Sequence, residues 1–189
     1  MPIAKTAFID ESLRIRAGLY VLAAVIVADA DADGHRQALR ALLYRRQLRL
    51  HWRDESATRR SQLISAICQL RHTGAVVVAT GVAPRRQERA RRKCIERLLA
   101  ELTDRGIASV VFERRHGELD ARDRALVAVL KRQQSVPAAV HASWQAPADE
   151  PLLWLPDIAA GAAALAETGD ATYWRDLATA FLVERFVLT

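Results

Sequence analysis

The chain has no apolar run of the roughly 20 residues that a bilayer-spanning helix requires. Residues 19–28 cover about half such a span. No basic region precedes them and no small-residue cleavage site follows, so they do not read as a secretory leader. A cytoplasmic protein with no membrane partner is the expectation. Cysteine is nearly missing: Cys68 and Cys94 are the two, each in a helix-like pattern, with no further Cys or His at metal-ligand spacing. That excludes a disulfide framework and a zinc site of thiolates, and both read as buried small apolar residues in a reducing compartment. There is no Gly-rich phosphate loop with its Lys and no dinucleotide fingerprint. Internal repeats and low-complexity linkers are also missing, so residues 1–189 read as a single domain, long enough for a full core.

Lysine is scarce as well. Lys5, Lys93 and Lys131 are three of the 28 basic residues, and arginine supplies the rest. The net charge of +6 and a pI of about 10.0 permit a polyanionic partner. Arginine-rich, alanine-rich composition is equally what a GC-rich genome produces, so charge alone does not decide.

What is present has α/β order. Residues 6–10 and 19–27 read as strands, the second rich in strand-favouring side chains, with Gly18 allowing a hairpin-like return. Asp31 or Asp33 can cap a helix over residues 34–46, and residues 48–52 read as short and extended. Ser56 can cap the next helix, with Leu63, Ile64, Ile67, Cys68 and Leu70 inward. Residues 75–80 form a continuous apolar, mostly β-branched run, the pattern of a strand covered on both faces. A long helix over residues 84–105 ends at Gly106. A strand over 108–113, a helix over 119–134 and a strand over 138–144 follow. An Ala-rich helix over 152–167 and a last helix over 172–181 complete the chain, while 183–188 fit either class. Helices flanking a mixed central sheet are the expected architecture.

Three acids then stand out. Asp10 closes the first strand, Glu113 closes the strand of Val110-Val111-Phe112, and Asp157 lies in an otherwise apolar helical stretch. A carboxylate in apolar surroundings is costly unless paired, hydrogen-bonded or metal-bound. Oxygen ligands from separate segments suit Mg²⁺ or Mn²⁺, and two such ions can hold a phosphodiester and activate water. Blander roles exist. Asp10 can cap a turn, Asp157 can favour a helix N-terminus beside Pro156, and Glu113 can pair with Arg114 or Arg115. Asp120 and Asp123 read as first-turn acids of a helix, either of which could replace Glu113.

Phe8-Ile9-Asp10-Glu11-Ser12 resembles the opening motif of the domain-of-unknown-function family 3800. Leu155-Pro156-Asp157-Ile158-Ala159-Ala160-Gly161 is similar to that family's late motif, and Leu50-His51-Trp52 resembles its central segment. Two positions depart from the pattern: Leu13 stands where Gly is common, and Arg49 where an acid is usual, with Asp54 and Glu55 nearby as substitutes. The resemblance implies a ribonuclease-H-like fold and a metal-dependent nuclease. Asp10, Glu113 and Asp157 would hold Mg²⁺ or Mn²⁺, and His51 or Asp54 would order the water or leaving group.

The long helix opens with Arg85, Arg86, Arg89, Arg91, Arg92, Lys93 and Arg97. Positive charge at a helix N-terminus opposes the macrodipole by up to about 1 kcal/mol per residue, so helix stability does not explain it. A phosphate backbone would, and Arg85, Arg86, Arg89 and Lys93 are the expected nucleic-acid contacts. A solvated face with Glu88 and Glu96 as partners is the alternative. Aromatic residues are missing there, which argues against base stacking. Three functions follow: a nuclease acting on RNA or DNA, a non-catalytic nucleic-acid- or protein-binding module on the same scaffold, and an interaction protein. In the last, a homo-oligomer would use Trp154, Tyr173, Trp174 and Phe181.

Overall fold

The first two strands pair as a long hairpin. In the computed structural model, which describes residues 3–189, β1 (Lys5–Arg14) and β2 (Leu19–Ala28) stay in antiparallel register from Lys5 opposite Ala28 to Arg14 opposite Leu19. Gly18 makes the return at φ 63°, a conformation costly for a side chain. β3 (Thr73–Thr80) lies antiparallel to β2, and β6 (Phe181–Val187) parallel to β3. On the other side β4 (Ser109–Glu113) and β5 (His141–Gln145) continue parallel to β1. The sheet order is β5-β4-β1-β2-β3-β6, so every strand except β2 points the same way.

Alternation along the strands separates two cores. Phe8, Val21, Ala23, Val25, Val76 and Val111 face α1 (Ala32–Ala41), α2 (Ala57–Ile67) and α5 (Trp154–Ala166). Ala7, Ile9, Leu22, Ala24, Val77 and Phe112 face α3 (Gln87–Asp104) and α4 (Gly117–Arg132). The short α6 (Trp174–Leu177) leads to β6. Mostly small residues let α5 lie closely across β1 and β2, and nearly all of it is buried.

Several elements differ from the sequence expectation. The first strand does not end at Asp10 but runs to Arg14, because its partner continues opposite it. Asp10 therefore sits mid-strand. α1 stops at Ala41 rather than residue 46. The Arg59 guanidinium takes the Leu42 carbonyl there, satisfying a helix-end acceptor, and Arg46 is at φ 74°. Residues 48–51 are a loop, and a 3-10 turn, Trp52–Asp54, follows. The last helix shrinks to α6, and the ambiguous C-terminal stretch is edge strand β6. Cys94 is buried as expected, but Cys68 is exposed just past α2. Trp154, Tyr173, Trp174 and Phe181 belong to the core, not to an exposed oligomer contact: Trp174 packs on Phe181 at 5.4 Å, and Tyr173 sits edge-on to Trp52 at 5.2 Å.

Candidate functional site

Strand parity places the acids. Asp10 follows Ile9, so it shares the face of Phe8, toward α5. Ile9 pairs with Phe112 across β1 and β4, which puts Glu113 beside Asp10 on that face. Asp157 comes from the first turn of α5, the helix that covers it. The sheet and one helix thus bring three carboxylates to one region.

Their electrostatics agree. Burial pushes the Asp10 carboxyl well above its ordinary range, and the charges of Glu11, Glu113 and Asp157 push it the same way. Burial raises Glu113 too, opposed by a hydrogen bond shared with Asp10 and by the Arg49 charge. Burial raises Asp157, opposed by the Trp52 N–H and by the charges of His51 and Arg49. Each acid is a costly anion with too little positive charge around it.

The supports of Asp157 are local and specific. The Trp52 backbone N–H donates to Asp157 Oδ2 at 2.7 Å. Trp52 is held by Arg60 of α2, whose Nε donates to the Trp52 carbonyl at 3.0 Å and whose guanidinium lies 4.9 Å from the ring centre. The indole sits against Gly161, one turn beyond Asp157. A Cβ there would lie 2.1 Å from the ring, so only glycine lets the loop close on α5. Beside it His51 Nδ1 is 2.9 Å from Asp54 Oδ2. An ionised carboxylate only accepts, so the hydrogen of this bond is carried by Nδ1.

Arg49 is the cation of the site. Its Nη1 is 3.5 Å from Glu113 Oε1, and the side chain is 40% exposed. Glu113 therefore pairs with neither Arg114 nor Arg115. Among the described residues no group of three or more His, Cys, Asp or Glu is already arranged to hold a metal ion. Trp52 and Arg49 engage two of the carboxylates. The donors themselves suit a hard cation, being all oxygen, buried and in excess negative charge.

The opposite face carries a different set. Arg91, 1% exposed, donates from Nε and Nη2 to Asp123 at 2.7–3.1 Å and from Nη1 to Glu11 at 2.6 Å and Tyr20 Oη at 3.0 Å. Arg115 joins Asp123 to Glu88, and Asp120 accepts from the Arg115 N–H. Asp120 and Asp123 are therefore committed here and do not replace Glu113, and Arg91 is removed from the basic face. Glu88 pairs with Arg115 rather than Arg92, while Lys93 pairs with Glu96 at 2.7 Å. Arg85 and Arg89 are exposed and Arg86 is half-buried. These basic residues are at the start of α3, on the far side of the sheet from the three acids. Arg49, Trp52 and Gly161 are the site residues that sequence reasoning missed. A glycine four residues after an acid in an Ala-rich helix was the available signal.

No family model matches the chain, and no curated protein does. Among solved structures the chain is similar to one in the PCNA:RNase HII complex from Archaeoglobus fulgidus, at 16% identity, covering 92% of this chain and 86% of that chain with a TM-score of 0.52. The likeness is one of fold: a ribonuclease-H-like mixed sheet flanked by helices. No helix is long and apolar enough to cross a membrane among the described residues.

Proposed function

We propose that this chain is a metal-dependent nuclease that hydrolyses phosphodiester bonds of RNA or DNA. The observation that carries the reading is the gathering of Asp10, Glu113 and Asp157, from β1, β4 and α5, on one face, with the Arg49 guanidinium at Glu113. The motifs around Asp10 and Asp157 support it through their resemblance to family 3800. Asp10, Glu113 and Asp157 would hold Mg²⁺ or Mn²⁺. Bound there, the ion supplies Lewis-acid charge to a phosphoryl oxygen and makes water acidic enough to attack. Asp54 fixes the His51 ring, whose Nε2 would accept a proton from water or order the leaving oxygen. Trp52 keeps Asp157 oriented, and α5 shields the acids from bulk water.

Nucleic acid would be gripped by Arg85, Arg86, Arg89 and Lys93. Because they stand on the other face, a strand touching both surfaces must pass around the end of the sheet, and binding and cutting become separable. A second reading, a non-catalytic binding module, draws on the Arg49–Glu113 pair, which places a cation of the protein's own among the acids. Labelled single-stranded, duplex and hybrid substrates run on a gel with and without Mn²⁺ decide between them. Cleavage that needs metal and is abolished in the D10N/D157N double variant, with binding kept, is the expected result. Salt-sensitive binding with no cutting of any substrate would leave the module.

A further inference from the structure

We infer that the open edge of β5, with the groove between β5 and α4, is a docking site for an extended segment of another protein, one that presents an apolar side chain between two acidic ones. The inference is independent of the metal-holding reading of Asp10, Glu113 and Asp157.

The edge is the first argument. β5 ends the sheet and pairs with β4 alone. The His141 N–H donates to the Ala108 carbonyl at 2.7 Å, and the Gln145 carbonyl accepts from the Arg114 N–H at 2.8 Å. His141, Ser143 and Gln145 therefore turn their backbone groups to β4, and Ala142 and Trp144 turn theirs outward. Among the described residues the Ala142 N–H and carbonyl and the Trp144 N–H have no partner, and the Trp144 carbonyl takes only a 3.4 Å contact from Arg114 Nη2. The other edge is guarded. β6 carries Glu184 and Arg185, which pair with Arg97 and Glu167, and charges on an edge strand discourage a further strand. β5, His-Ala-Ser-Trp-Gln, has no Asp, Glu, Lys, Arg or Pro.

The groove is the second argument. Val127 and Ala128 of α4 meet Ala142 and Trp144 of β5 in an apolar floor. Arg124 and Lys131 flank it, two helical turns or about 10 Å apart along α4. No acidic side chain lines the groove, and Arg124 lies 4.9 Å from the Trp144 ring centre. A strand laid along β5 puts alternate side chains on this face, and the outer two of three are about 13 Å apart. An acid–x–apolar–x–acid segment thus sets its central side chain on the floor and its acids within reach of Arg124 and Lys131. A second copy of this chain fits worse, because a two-fold axis at β5 would bring these cations toward their own equivalents.

The probe is a fluorescein-labelled peptide, Ser-Glu-Thr-Val-Thr-Glu-Ser, whose anisotropy is followed as the full chain is added. Wild type is expected to bind it, and not to bind the counterpart with lysine at both glutamate positions. A142P removes an outward N–H and leaves the β4 ladder intact, a place where an edge strand tolerates proline. It is expected to weaken the peptide about tenfold, the scale of one or two lost backbone hydrogen bonds. R124E/K131E is expected to prefer the lysine peptide, and this variant serves if circular dichroism shows A142P unfolded. No binding by wild type, equal binding of the two peptides, an unchanged affinity in folded A142P or an unchanged preference in folded R124E/K131E would overturn the inference. A wild-type dimer in sedimentation that A142P dissociates would give the edge to a second copy and overturn it too. So would binding of labelled duplex DNA that R124E/K131E loses and A142P keeps, which would make the groove a nucleic-acid surface. None of these results bears on the acids of the α5 face, so the nuclease reading stands or falls separately.

Discussion

Asp10 and Glu11 are consecutive residues of one strand, and the fold treats them in opposite ways. Glu11 turns toward α3, where Arg91, Asp123, Tyr20 and Arg115 make a buried network in which every charge has a partner. Asp10 turns toward α5, where Glu113 and Asp157 add negative charge, and the half-exposed Arg49 pairs with Glu113 rather than with Asp10. The protein can therefore compensate a buried carboxylate at this end of the sheet, and on one side it does not. Local stability is not what the Asp10 face is arranged for. A site that keeps like charges together against their repulsion is arranged for a cation or a proton to enter.

The contrast breaks most sharply when one residue is removed from each side. R91M leaves part-buried Glu11 without its counter-charge and buried Asp123 with Arg115 alone, and breaking a buried pair in this way costs about 3–5 kcal/mol. D10N removes an anion that lacked compensation, so in metal-free buffer it is expected to raise stability. Urea unfolding of the two variants should show midpoints moving in opposite directions. The pH dependence follows from the raised carboxyls. Folded Asp10, Glu113 and Asp157 hold protons at pH values where the unfolded chain has lost them. Their contribution is full below the ordinary carboxyl values of 3.8 to 4.5 and is lost as pH rises through the higher folded ones. Wild type without metal should therefore lose stability relative to D10N as pH rises above the ordinary carboxyl range. A constant difference between the two curves would mean that the Asp10 carboxyl is not raised in the folded chain.

The same two faces explain what could be read in advance. Strand parity and the apolar runs gave the layers, because alternation is a local signal: Ala75 through Ala79 could be little but a covered strand. Asp10, Glu113 and Asp157 were visible as acids out of place in apolar sequence. Arg91 was not visible, since its burial depends on Asp123 arriving from α4, 32 residues away. Arg49 likewise read only as a missing acid. Its partner is 64 residues on, and no pattern in residues 46–52 announces it. Loop 42–51 was misread for a related reason: α1 ends where Arg59 reaches back to it from the next helix.

Gly161 sharpens the comparison at intermediate cost. G161A puts a methyl group into the Trp52 indole, whose nearest atom is 2.1 Å from the new Cβ position. Neither α5 nor the ring can yield freely, because the helix lies across β1 and β2 and the indole is packed against Tyr173. Overpacking of this kind costs about 1–3 kcal/mol. The ring must shift, and with it the Trp52 N–H that orients Asp157. Urea unfolding should show the loss, and the Mn²⁺-induced rise in melting temperature should shrink in the same variant. A loss of stability with an undiminished metal effect would mean that Trp52 supports the core but not the carboxylate.

The smallest effect belongs to the basic face of α3, and its smallness is what makes it useful. Lys93 and Glu96 form an exposed pair three residues apart, with side chains 50% and 27% accessible. Such pairs contribute less than about 1 kcal/mol, so K93A should leave the urea midpoint nearly unchanged. Binding is different in kind. If Lys93 exchanges Glu96 for a phosphate of bound nucleic acid, its loss removes one counterion-releasing contact. The slope of log affinity against log salt should then fall by about 0.9 for duplex DNA. Fluorescence anisotropy of a labelled duplex from low to moderate salt measures that slope. Because α3 lies across the sheet from the acids, K93A should leave Mn²⁺ stoichiometry untouched while D10N leaves the salt slope untouched. An equal slope in K93A and wild type would assign Lys93 to Glu96 alone, and the arginines of the α3 start would have to hold the phosphates without it.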